Sequence, residues 1–151
     1  MLVSTPFTGG CACGAIRYEC SAEPMMSLNC HCRDCQRATG GAYNTVVGVP
    51  VAEVQFTQGS PQYYETTGER GTSVRHGFCP TCGSPLAALP SAYPAMMSLR
   101  ASSLDDPSWV RPAADIWTAS AQPWDTMNPA IPKFEAQPTE EEFQAILAPR
   151  N

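Results

Sequence analysis

The sequence is poor in charge. Charged residues make up 15% of its 151 positions, against about 25% in an average soluble protein. Positive charge is scarcest: nine basic residues, with Lys133 the lone lysine, are scattered along a chain of net charge -5. Binding to a phosphate backbone needs clustered Lys and Arg, so nucleic acid is excluded as a partner. Long hydrophobic runs are missing too. The most apolar stretches, 45–54 and 85–99, are short and broken by proline or polar residues. Neither reaches the roughly 20 residues that span a bilayer, which excludes a membrane partner of that kind. The opening residues Met1-Leu2-Val3-Ser4-Thr5-Pro6 have neither the basic region nor the apolar core of a leader. The expectation is a cytoplasmic protein in a reducing compartment. No repeat, low-complexity tract or linker divides the chain, so one domain over residues 1–151 is expected.

What is abundant is proline (15), glycine (11) and cysteine (8), a composition of turns and short elements. Residues 15–21 alternate with Ile16, Tyr18 and Cys20 on one face, the period of a strand. Further strands are expected at 25–29, 42–49, 51–57, 62–66, 72–78, 85–89, 95–101 and 113–118, with a turn at 67–71. Residues 33–39 read as one or two helical turns ending on a left-handed Gly40 cap. A terminal helix starts near Thr139, with acids in its first turn and Phe143, Ile146 and Leu147 on one apolar face. Many strands and little helix make the fold class all-β.

The cysteines fall into three groups: Cys11 and Cys13, then Cys30, Cys32 and Cys35, then Cys79 and Cys82. In a reducing compartment such groups read as metal ligands before disulfides, and thiolates with tetrahedral geometry suit zinc. The two pairs together make a closed set of four. The middle group is a set of three, which leaves a position free for water or substrate. Cys20 is left over. It is either a small buried hydrophobe or a fourth ligand to the three, a role for which His31 and His76 also compete. His31 stands between two ligands, so its side chain is expected to point away from their metal.

The segments Gly10-Cys11-Ala12-Cys13-Gly14, Cys30-His31-Cys32-Arg33-Asp34-Cys35-Gln36-Arg37-Ala38-Thr39-Gly40 and Phe78-Cys79-Pro80-Thr81-Cys82-Gly83-Ser84 resemble the glutathione-dependent formaldehyde-activating enzyme family, whose type of domain also occurs in centromere protein V. The resemblance covers residues 7–134. It implies a β-tent of small stacked antiparallel sheets with zinc-knuckle turns. It also implies a structural zinc on Cys11, Cys13, Cys79 and Cys82, and a catalytic zinc on Cys30, Cys32 and Cys35. The implied reaction joins formaldehyde to glutathione and is a carbon–sulfur lyase reaction. Relatives often carry a histidine and a basic residue in the segment that here reads Asp115 through Trp124, with Ala121 and Gln122.

A zinc held by three thiolates is a weak Lewis acid but can take up a substrate thiol as its thiolate, so a small thiol, possibly glutathione, is the expected partner. A free thiol has a pKa of about 8.5 and is largely protonated at neutral pH; metal binding removes that proton. Proton transfer could fall to His31, Tyr43 or Tyr63. Arg33 and Arg37 could pair with substrate carboxylates, and Trp109, Trp117 and Trp124 could wall a pocket. The alternative function is a non-catalytic scaffold stabilised by two zincs.

Overall fold

A computed structural model describes residues 3–68 and 71–148. Met1 and Leu2, and Glu69 and Arg70 in the turn expected at 67–71, lie outside the described residues. The chain divides into two compact units. The first takes residues 1–25 and 47–110; the second takes residues 26–46 and 111–151.

The first unit opens with β1 (Phe7–Gly10) and β2 (Arg17–Cys20), an antiparallel pair with Phe7 opposite Cys20. β5 (Val54–Gln58) adds antiparallel to β2, with a bulge between Arg17 and Tyr18. The alternation expected at 15–21 holds: Ile16, Tyr18 and Cys20 are buried in one cluster with Val47, Val49, Leu86 and Leu99. A second set of strands, β6 (Gln62–Thr67), β7 (Ser73–Phe78), β8 (Pro85–Pro90) and β9 (Met96–Arg100), runs as an antiparallel meander. β4 (Asn44–Pro50) begins in the second unit, and its residues 47–50 lie beside β9 in the first. Val51–Glu53, expected to begin a strand, is a turn of 3-10 helix instead. Pro50 precedes it in extended conformation, and the strand starts only at Val54.

The second unit holds β3 (Met26–Cys30), α1 (Arg33–Thr39), residues 44–46 of β4, β10 (Asp115–Ile116) and α2 (Glu140–Leu147). β3 lies between β4 and β10. The β3–β10 pair is parallel, with Asp115 opposite Asn29 and Ile116 opposite Cys30, so the small sheets are antiparallel and mixed. The strand expected over 113–118 is reduced to two residues. Trp117 takes the left-handed conformation (φ 57°), which a bulky side chain adopts only under constraint, and a 3-10 turn follows at Thr118–Ser120. α1 ends on Gly40 at φ 73°, as its sequence demands. α2 is closed by a capping box, in which Thr139 and Glu142 satisfy each other's backbone amides. Its Ile146 is buried with Leu28, Val46 and Ile116, with Phe143 packed against that cluster, whereas Leu147 is exposed.

The fold is thus mostly β with a short C-terminal helix. No described helix is long and apolar enough to cross a membrane.

Candidate metal centres

None of the eight cysteines, all of them among the described residues, is in a disulfide. Seven of them gather into two groups, one in each unit.

In the first unit, the Sγ atoms of Cys11, Cys13, Cys79 and Cys82 all lie within 4.8 Å of one another. Cys11 to Cys13 is 3.6 Å and Cys13 to Cys79 is 3.8 Å. A tetrahedron with metal–sulfur distances of about 2.3 Å has sulfur–sulfur edges of about 3.8 Å, so the spacing fits one ion. The four sulfurs sit on two similar turns. Gly14 (φ 78°) follows Cys13 and Gly83 (φ 79°) follows Cys82, and each reverses the chain in a conformation that penalises a Cβ. Their amides return to the first cysteine of each turn: Gly14 N–H donates to Cys11 O at 3.2 Å, Gly83 N–H to Cys79 O at 2.8 Å.

Donors surround these sulfurs. The Ile16 amide donates to Cys11 Sγ at 3.2 Å. Ser84 joins the two turns: its oxygen accepts from the Ala12 amide at 3.0 Å and lies 3.1 Å from Cys82 Sγ. The Ser84 hydroxyl and amide lower the Cys82 pKa to about 5. Cys13 rises to about 11. The Ala15 amide pulls it down, but the neighbouring thiol of Cys11, burial, Cys82 and Cys79 together outweigh that pull. Such opposed shifts mark sulfurs sharing protons that a metal would displace.

In the second unit, the Sγ atoms of Cys30, Cys32 and Cys35 also lie within 4.8 Å of one another, and among the described residues no fourth Cys, His, Asp or Glu ligand atom joins them. β3 delivers Cys30, and α1 delivers the other two. Cys32 is the N-cap of α1, its sulfur accepting from the Cys35 amide at 3.3 Å. Hydrogen bonds from the thiols of Cys30 and Cys35, then from the backbone amides of Cys35 and Asp34, lower the Cys32 pKa to about 3 against the opposing effect of burial. Cys30 is pushed well up, because Cys32 and Cys35 keep it a donor and because it is buried. A soft, thiolate-rich donor set of this kind fits zinc in both groups.

The other candidates separate. Cys20 is fully buried in the first unit's core, its sulfur 3.5 Å from Ala22 O. His76 is buried between Arg100 and Thr66. The Arg100 guanidinium can only donate, so Nδ1 accepts at 3.0 Å and Nε2 carries the hydrogen toward Thr66 Oγ1 at 2.9 Å. Tyr63 lies in the first unit under the Arg75 guanidinium, 4.5 Å from its ring centre. Trp109 packs edge-on against Phe7 in the same unit.

In the second unit, Trp117 packs against the cluster that contains Cys30, Cys32 and Cys35, while Trp124 is 69% exposed. Arg33 and Arg37 are exposed on α1, and Arg33 donates to the Gln36 side chain. Tyr43 lies with its ring centre 5.0 Å from that of His31. His31 itself is fully buried, with Nε2 donating to Asp115 Oδ1 at 2.9 Å and Nδ1 3.5 Å from Asp125 Oδ2.

Several residues around the three cysteines were not expected. Gln36 is buried and uses both ends of its amide: Nε2 donates to His31 O (2.7 Å) and Ser120 O (2.9 Å), and Oε1 accepts from Gln122 at 3.0 Å. Asn44 Nδ2 points at Cys35 Sγ from 4.0 Å. Asp115 is 1% exposed and bonded on all sides, so its side chain is a structural acceptor rather than a surface group open to substrate. The signal that could have found it is an acid inside the apolar run of 113–117.

The sequence profile of the glutathione-dependent formaldehyde-activating enzyme family matches residues 6–120. The match stops short of residue 134, where the resemblance was expected to end. No curated protein matches the chain. A crystal structure of a Rhodobacter sphaeroides protein is similar with a TM-score of 0.54 at 20% identity, over 83% of this chain and 98% of that one, which is a likeness of fold.

Proposed function

The chain belongs to the glutathione-dependent formaldehyde-activating enzyme family, and from that premise we propose that it is a zinc-dependent carbon–sulfur lyase. Its substrate is a thiol–aldehyde adduct such as S-hydroxymethylglutathione, formed or cleaved. One observation carries this reading: three sulfurs converge, and among the described residues no fourth ligand atom joins them. A closed structural zinc site takes four protein ligands, and a catalytic one takes three. Zinc bound there would supply an open position at which a substrate thiol sheds its proton.

The chain's own residues do the rest. The thiols of Cys30 and Cys35 and the Cys35 amide donate toward Cys32 Sγ and favour its thiolate form. Arg33, exposed at the start of α1 and donating to the Gln36 side chain, would pair with a substrate carboxylate, which arginine binds through two parallel hydrogen bonds. Gln36 and Gln122 hold the segment around Ser120 to α1, and Trp117 covers the apolar side of the cysteine cluster. In the forming direction one carbon–sulfur bond is made and the thiol proton ends on the former carbonyl oxygen. Cleavage reverses both changes, and no oxidant or reductant is needed. The four-cysteine group of the first unit is a closed, structural zinc site in this reading.

The test combines metal analysis of the purified protein with an assay of formaldehyde against several thiols, glutathione among them. Two zinc equivalents and faster approach to adduct equilibrium with at least one thiol are expected. Two equivalents with no acceleration for any thiol would make this a zinc-stabilised scaffold instead.

A further inference from the structure

His31 stands between Cys30 and Cys32, and Asn29 precedes Cys30, so two side chains bracket the ligand that β3 delivers. Both are held by one carboxylate. Asp115 Oδ1 accepts from Asn29 Nδ2 at 3.1 Å and from His31 Nε2 at 2.9 Å. Its Oδ2 accepts from Lys133 Nζ at 3.3 Å. The backbone repeats the attachment: Asn29 N–H donates to Ala114 O and His31 N–H to Ile116 O, both at 3.0 Å. On its other edge β10 is tied down by Asp115 N–H to Pro132 O and Phe134 N–H to Asp115 O, both at 2.9 Å. Asn29 is fixed at its far end by Thr45, whose hydroxyl donates to Asn29 Oδ1 at 2.8 Å. Neither Asn29 nor His31 can turn without breaking a bond to Asp115.

We infer that Asp115 is a positioning residue for the three-cysteine group, acting through Asn29 and His31 and balanced by the Lys133 ammonium. A carboxylate only accepts, so it can hold three donors at once. Lys133 anchors the far side by donating also to Ile131 O at 3.0 Å and Asn128 O at 2.5 Å. Asp125 Oδ2 lies 3.5 Å from Nδ1 of His31, and these two buried atoms make no hydrogen bond. Both Lys133 and Asp125 lie beyond residue 120, where the family match ends, so this arrangement draws on the chain's own tail. Supporting groups of this kind matter most where ligands are few, because a site of three sulfurs has no fourth to restore a lost geometry.

The inference rests on the reading that the three cysteines bind a metal, and its test separates the two. The full-length chain and Asp115→Asn are loaded with cobalt(II) as a spectroscopic probe, and each metal equivalent is titrated with a chelator. In the variant, the weaker equivalent should lose about tenfold or more in affinity and its ligand-field bands should move, while the tighter equivalent stays within about twofold. An unchanged weaker equivalent, or an equal loss from both, overturns the inference. Lys133→Gln leaves the carboxylate in place and serves if Asp115→Asn does not fold. It should weaken the same equivalent alone and to a smaller degree, and no change there also overturns the inference. If the parent chain takes up only one equivalent, the metal reading of the three cysteines itself has failed.

Discussion

The two cysteine groups use the same donor atom but are built in opposite ways. In the first unit the sulfurs come from two turns, and Cys13 and Cys79 are 66 positions apart. In the second, three sulfurs fall within six residues, at the junction of β3 and a helix that caps itself on Cys32. Bringing distant turns together costs loop entropy, which an ion bound by both turns would offset. The local group needs no such help: a short helix and the Asp115 network already hold its backbone. The difference teaches that metal is expected to be part of the fold in one unit and an addition to the fold in the other.

The sharpest way to break this comparison is to remove one ligand from each group. Zinc binding in small metal domains is worth roughly 10–16 kcal/mol, whereas a whole domain is stable by about 5–15 kcal/mol. Cys79→Ser should therefore yield insoluble or unfolded protein, checked by soluble yield and thermal melting. A melt equal to the parent's would contradict the assignment. Cys32→Ser should instead fold, with a melting temperature within about 4 °C of the parent. It should lose one metal equivalent and all thiol–aldehyde activity. If it unfolds like Cys79→Ser, the two groups do not differ as argued.

Smaller changes sharpen the contrast. Gln36→Met leaves the carbonyls of His31 and Ser120 without their donor, at a cost of about 1–3 kcal/mol in a denaturant titration. It should also weaken the second unit's metal while sparing the first unit's, as read by chelator competition. The least effect is expected at Asp105, which sits in the first unit paired with Arg17. The Arg17 guanidinium and then the Thr8 hydroxyl hold its pKa below the usual value. A depressed carboxylate stabilises the fold above its unfolded pKa, and that contribution is lost as pH falls through the folded value. The pair is partly exposed, so Asp105→Asn should cost under about 1 kcal/mol at pH 7. The gap from the parent should start to narrow as pH falls below about 4 and close only below the lowered folded pKa of Asp105. A gap that persists in acid would mean the residue acts by something other than its charge.

Local features of this chain were legible in the sequence. The Gly40 cap, the Thr139 start of α2, the alternation around Tyr18 and the grouping of cysteines all depend on neighbours a few positions apart. What escaped depends on distance or on a broken pattern. β1 contains two glycines, which carry little strand propensity. β10 is cut short because Trp117 turns left-handed. The bracket around His31 joins residues 84 or more positions apart, and no periodicity announces such contacts. Asp115 stood out in the sequence only as a missing basic group, and its burial reverses that meaning.

Stepwise chelation, followed at once by metal release, far-UV circular dichroism and activity, tests the central claim most directly. The prediction is that one equivalent leaves first and takes the activity with it while the strands stay folded, and that removal of the second coincides with unfolding. Release of both equivalents together, or a folded and inactive protein only after both are gone, would contradict it.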